Sequence, residues 1–175
     1  MVENQEKHTI SVLVENKFGV LARVAGLFSG RGYNISSLTV HETEDPAYSK
    51  MTIVTTGDAA ILEQIDKQLR KLVDVIRVDD LTGSRFIERE MALIKLKTAS
   101  REEQSQLIQL VEIFDGTIVS VSRGEIAVEI AGRSDRLDNF IELVRDFGIV
   151  EMARSGRVAI ARCAKYISIR CFVPS

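Results

Sequence analysis

Twice along this chain, apolar spacing switches from every second residue to every third or fourth and back, in one and the same order. That repeat constrains the fold more than any single motif does. In the first half, Ile10, Val12 and Val14 alternate within residues 9–15, which predicts a strand. Leu21, Val24, Leu27 and Phe28 then recur at helical spacing. Residues 34–41 and 49–56 follow as two strands joined through a turn at Asp45-Pro46. Leu62, Ile65, Leu69 and Leu72 mark a second helix, with Asp58 as its N-cap, and residues 75–78 close the set.

The second half runs through the same series. Residues 92–97 predict a strand, and Leu107, Leu110, Val111 and Phe114 a helix, opened by the capping box of Ser100 and Glu103. Strands at 117–122 and 126–131 flank a tight turn at Arg123-Gly124. Leu137, Phe140, Ile141 and Val144 form the last helical stripe, with Ser134 as its cap. Residues 149–153 are the closing strand, and an additional apolar stretch follows at 157–161. The expected fold is therefore α+β: two tandem ferredoxin-like βαββαβ units, each an antiparallel sheet with two helices on one face. The units are placed at 8–80 and 90–162. A connector at 81–89 is drawn from a charged stretch that contains Gly83 and Ser84. The tail, 163–175, receives no role. Small sheets with open edges and an uncovered face predict at least a homodimer.

Bulk properties remove several function classes. The net charge is −2, from 23 basic and 25 acidic residues, with no basic block for counterion-release binding to nucleic acid. No apolar run approaches the roughly 20 residues that span a bilayer, and residues 1–7 do not read as a signal peptide. Cys163 and Cys171 lack framework spacing, which agrees with a reducing, cytoplasmic setting. His8 begins one strand and His41 ends another, and both are expected at the solvated surface. Neither forms a Cys/His set with metal spacing, and there is no GxGxxG or P-loop. Gly30-Arg31-Gly32 follows a helix, so it fits a helix end better than a phosphate cradle.

The chemistry concentrates between the first strand and the first helix. Gly19, at the turn into the helix, accommodates a positive φ and close approach of a ligand. The amides of Gly19, Val20 and Leu21 then stand at the positive end of a helix dipole, where a carboxylate is stabilised. Asn16 carries both a donor and an acceptor, suited to the two ends of an amino acid. A glycine turn and an Asn near a helix start are also ordinary structural choices.

The stretch from Glu15 to Phe28, continuing through Gly32-Tyr33-Asn34-Ile35, resembles the signature of the ACT domain, the small-molecule module of amino-acid-regulated enzymes. With Ser37-Leu38-Thr39-Val40, Met51-Thr52-Ile53, Glu63-Gln64-Ile65, Glu88-Arg89-Glu90, Val111-Glu112-Ile113-Phe114 and Ala153-Arg154-Ser155-Gly156, residues 9–162 resemble the small subunits of acetolactate (acetohydroxyacid) synthase. That resemblance implies a non-catalytic regulatory subunit. It would bind a branched-chain amino acid, valine first, at an ACT interface between two chains. Asn16, Gly19, Val20 and Leu21 would face the ligand from one chain, and Asn34 and Ile35 from the other. The implied partner is a catalytic large subunit that carries thiamine diphosphate and Mg; no cofactor is expected in this chain. The small subunit would activate that partner and confer feedback inhibition. Alternatives are an ACT regulator of another amino-acid pathway, an RNA-recognition module, and an acyl-phosphate hydrolase. The second requires strand aromatics and the third an Arg-bearing loop before the first helix.

Overall fold

The computed structural model describes residues 7–82 and 85–163. In the first unit, β1 (Lys7–Glu15), α1 (Val20–Ser29), β2 (Ile35–Glu42), β3 (Tyr48–Thr56), α2 (Ala59–Leu69) and β4 (Val75–Asp80) build an antiparallel sheet in the order β2-β3-β1-β4. Ile10, Val12 and Val14 meet Met51 and Ile53 of β3 on one face. Val20, Val24, Leu27 and Phe28 of α1 and Ile65 and Leu69 of α2 close over them. Their spacing puts each helix's apolar residues on one stripe, and each large side chain buried there contributes roughly 1.5–3 kcal/mol. Asp58 caps α2 by accepting from the amide of Ile61 at 2.8 Å.

The second unit repeats the pattern with β5 (Phe86–Lys97), α3 (Arg101–Ile113), β6 (Thr117–Ser122), β7 (Glu125–Gly132), α4 (Ser134–Val144) and β8 (Ile149–Arg154), ordered β6-β7-β5-β8. Leu107, Val111, Leu137, Phe140 and Val144 cover Ala92, Ile94, Leu96, Ile126, Val128 and Ile130. Both units are thus ferredoxin-like βαββαβ folds.

Three expectations need correction. The stretch 86–89 is not connector: it is the first part of β5, paired with a ninth strand, β9 (Val158–Ala161), in the register Phe86↔Ala161 to Arg89↔Val158. Its partner lies some seventy residues away, so local pattern could not disclose it. Ser134 does not cap α4. Arg133 holds the N-cap position with no side-chain bond, and Ser134 is the first helical residue, buried with its hydroxyl unpartnered. His8 is buried, not solvated, because it continues the inward alternation of Ile10 and Val12; its Nε2 lies 2.9 Å from the Gly57 carbonyl.

The β5–β9 ribbon lies over the face of the first sheet that its helices leave open. Thr9, Ser11, Thr52 and Val54 on that face are buried, as is Ala159 of β9, whose amide donates to Thr52 Oγ1 at 3.3 Å. The turn leading into β9 is hydrogen-bonded to β2: Arg157 donates its amide to Ser37 Oγ at 3.2 Å, and Thr39 Oγ1 donates to the Arg157 carbonyl at 2.6 Å. Gly156 takes φ +77° there, and a Cβ on it would fall 2.5 Å from Ser37 Oγ. Beside this turn, Arg154 binds Glu90 through two nitrogens at 2.8 Å and Asp138 through a third at 2.8 Å. Hydrogen bonding to Glu90 chiefly holds the Arg154 guanidinium above its ordinary pKa.

Candidate functional site

At the end of β1 the chain turns through Asn16, Lys17 and Phe18 into Gly19, the N-cap of α1, at φ 82° and ψ −4°. That left-handed conformation disfavours a side chain, and Gly19 has none to offer as a cap, so no side chain closes the helix start. The Val20 amide is taken up by the Lys17 carbonyl at 3.3 Å. Those of Leu21 and Ala22 lie in the first turn, where an α-helix supplies no internal acceptor. The first turn carries no acid that would neutralise the dipole.

The Asn16 amide nitrogen donates to Glu42 Oε1 at 3.0 Å and to the Pro46 carbonyl at 2.9 Å, which fixes the side chain against the β2–β3 hairpin. Its oxygen is the group left for a ligand. Val20 differs from expectation in its side chain, which is buried in the core, so only its backbone borders the site. Leu21 projects outward.

Arg23 is a neighbour of this junction that periodicity did not single out. Its guanidinium grips Asp74 through Nε at 2.8 Å and Nη2 at 2.7 Å, and Nη1 stands 3.4 Å from where a Cβ on Gly19 would be. A cation in the first turn opposes the helix dipole, and that anomaly is the signal by which the sequence could have disclosed it. Apolar surface gathers at the same end of the unit. Phe18 is fully exposed, and Val73, beside the Asp74 whose carbonyl accepts from Glu15, is 92% exposed.

Asn34 and Ile35 lie elsewhere. Ile35 opens β2 opposite Thr55, which in turn pairs with His8 at the beginning of β1. From there to Asn16 is eight strand residues, roughly 27 Å. Ile35 packs against the core, Asn34 is exposed, and the Asn34 carbonyl accepts from Thr55 Oγ1 at 2.6 Å. One chain therefore unites Asn16, Gly19, Val20 and Leu21, and leaves Asn34 and Ile35 at the other end of α1.

Among the hollows of the described surface are three of about 360, 500 and 360 Å³, and none of these three has Asn16, Gly19 or Leu21 in its wall. Among the described residues no group of three or more His, Cys, Asp or Glu is placed to hold a metal, and no helix is long and apolar enough to cross a membrane.

Comparison with known proteins assigns both units. The pattern of the AHAS small subunit-like ACT domain matches residues 10–77, and that of the small subunit of acetolactate synthase matches residues 89–163. The chain is similar to the probable acetolactate synthase small subunit of Methanothermobacter thermautotrophicus, 49% identical over 93% of this chain and 97% of that protein. It is also similar to the acetolactate synthase isozyme 3 small subunit of Escherichia coli, 50% identical over 89% of this chain and 96% of that one. The crystal structure of the acetolactate synthase small subunit from Thermotoga maritima superposes with a TM-score of 0.83 at 43% identity, covering 91% of this chain and 99% of that one. On these matches and on its two-unit fold, the chain belongs to the family of acetolactate synthase small subunits.

Proposed function

We propose that this chain is the non-catalytic, regulatory subunit of an acetolactate synthase. It binds a branched-chain amino acid, valine first, where the α1 start of one copy meets the β2 start of another. The observation that carries this reading is the uncapped, left-handed Gly19 junction, with the amides of Leu21 and Ala22, the Asn16 oxygen and Arg23 around it. The carboxylate is held by the helix start and the ammonium by the oxygen of Asn16. The isopropyl group lies against apolar surface such as Leu21, where burying three carbons contributes roughly 2–2.5 kcal/mol. Because Asn34 and Ile35 lie some 27 Å away along β1, roughly the length of the strand, a second copy has to supply them. A ligand held by two chains favours one arrangement of those chains, and that differential affinity is the origin of control over a catalytic large subunit. Thiamine diphosphate and Mg belong to that large subunit, which this chain activates and makes sensitive to feedback, in the cytoplasm.

Isothermal titration with valine, leucine and isoleucine tests the effector, and capture of the purified large subunit tests the partner. Valine is expected to release heat and raise the melting temperature by mass action. If none of the three amino acids binds to the chain, either free or in complex with the large subunit, the effector assignment is wrong.

A further inference from the structure

The β5–β9 ribbon has two unlike faces. Residues directly opposite in an antiparallel pair share a face, and alternate positions along each strand do so too. Arg85 with Arg162, Ile87 with Ile160, and Arg89 with Val158 therefore line one side, continuing the ladder through the Arg162 amide bonded to the Arg85 carbonyl at 3.1 Å. The other side, with Ala159 and Glu88, packs toward the first sheet. Ile87, Val158 and Ile160 are 38%, 41% and 50% exposed. Next to them lies the hollow of about 500 Å³, whose wall holds Arg85, Arg89, Arg133 and Arg162.

The acids nearby do not neutralise this surface. Glu88, the acid in the wall, is largely buried and faces Arg157 at 3.3 Å. Asp135 forms its ion pair with Arg133, at 3.2 Å, and accepts from the Arg136 amide at 2.9 Å. Arg89 and Arg162 donate to the backbone carbonyls of Glu88 and Phe86, and among the described residues no carboxylate pairs with Arg85, Arg89 or Arg162. An aliphatic centre rimmed by four guanidinium groups, three of them without a carboxylate partner among the described residues, on a chain of net charge −2, has the composition of a protein-docking hot spot.

We infer that this ribbon face, Ile87, Val158 and Ile160 ringed by Arg85, Arg89, Arg133 and Arg162, docks an acidic, aliphatic surface of the catalytic large subunit. The inference rests on the regulatory reading for the identity of the partner. Charge decides the occupant. A two-fold pairing of this face with its own copy would set Arg85, Arg89 and Arg162 against the same arginines, with Asp135 already paired to Arg133 and Glu88 turned to Arg157. Of the segments outside the described residues, 164–175, which follows this ribbon in the chain, contains Lys165 and Arg170 and no Asp or Glu, so its charge does not complement the face.

The test measures binding of the full-length chain to purified acetolactate synthase large subunit, for wild type and for the double variant Arg89→Glu, Arg162→Glu. Wild type is expected to bind, more weakly as salt rises, and the variant about tenfold or more weakly, with an unchanged melting temperature. If the double variant misfolds, Arg85→Ala with Arg89→Ala is expected to show the same loss at smaller size. Variants that bind like wild type, or a wild-type affinity indifferent to salt, overturn the surface and leave the regulatory reading standing. No wild-type complex at all overturns the partner assignment and the surface together. Capture of duplex DNA or RNA that the variant loses, with the large-subunit complex untouched, overturns the protein partner.

Discussion

Helices α1 and α3 follow the first strand of their respective units, and their first turns are finished in opposite ways. At α3, Ser100 Oγ accepts from the Glu103 amide at 3.1 Å and Glu103 returns a carboxylate to the Ala99 amide at 2.7 Å, a capping box that satisfies the terminus from within. At α1 a left-handed glycine brings no capping side chain, and a cation stands where the dipole disfavours one. One topology used twice thus yields a capped terminus and an uncapped one, and the difference is carried by a few residues at a single junction. The sheet faces diverge as well. The first sheet is covered by the ribbon, whereas Met91 and Leu93 on the outer side of β5 remain 38% and 42% exposed.

The largest expected effect tests whether the second unit depends on its ionic cluster as the first depends on apolar packing. Arg154→Ala strands Glu90, which is 7% exposed, without its partner. Urea denaturation should show a loss of about 3–5 kcal/mol. A loss below about 1 kcal/mol would mean that water satisfies Glu90 once Arg154 is gone.

Gly19→Asp puts a carboxylate where the ligand's acid group is expected. Valine affinity should fall by about tenfold or more. Stability should drop only about 1 kcal/mol, because Asp tolerates the left-handed region better than most residues do. Normal valine binding by this variant would remove the contrast between the two helix starts.

Ser100→Ala sharpens the same contrast from the closed side. It should lower stability by about 1 kcal/mol and leave valine titration unchanged. Smallest of all is Glu151→Gln, which removes the exposed pair with Lys95 at 2.8 Å. Any stability change should be too small for urea denaturation to resolve, because solvent screens an exposed pair. The Lys95 hydrogen bond holds the Glu151 pKa below its ordinary value, so the pair's small contribution is present above that ordinary value and fades as pH falls through the lowered one. An NMR titration of Glu151 reads that midpoint.

Much of this was legible in the sequence for a physical reason: α1, α3 and β7 bury one side only, and one-sided burial writes its period into the chain. Gly19 was legible because a strand-to-helix turn leaves few residue types for a positive φ. The β5–β9 pairing was hidden, since Arg85, Ile87 and Arg89 alternate with Phe86 and Glu88 in a short charged run whose partner is distant in sequence. The core position of Val20 and the orphaned Ser134 hydroxyl depend on helix rotation by a single residue, which apolar spacing does not fix. Arg23 was hidden because its role is defined by a contact with Asp74, across fifty residues of chain.

Gly156 has a mechanical consequence. With no room for even one methyl group between it and Ser37, and with the neighbouring backbone bonded to Ser37 and Thr39, the turn between β8 and β9 is seated tightly on β2. Densely packed contacts of this kind deform little and pass displacement onward. That turn therefore ties the edge strand of the first sheet directly to β8, which carries Arg154, and to the ribbon.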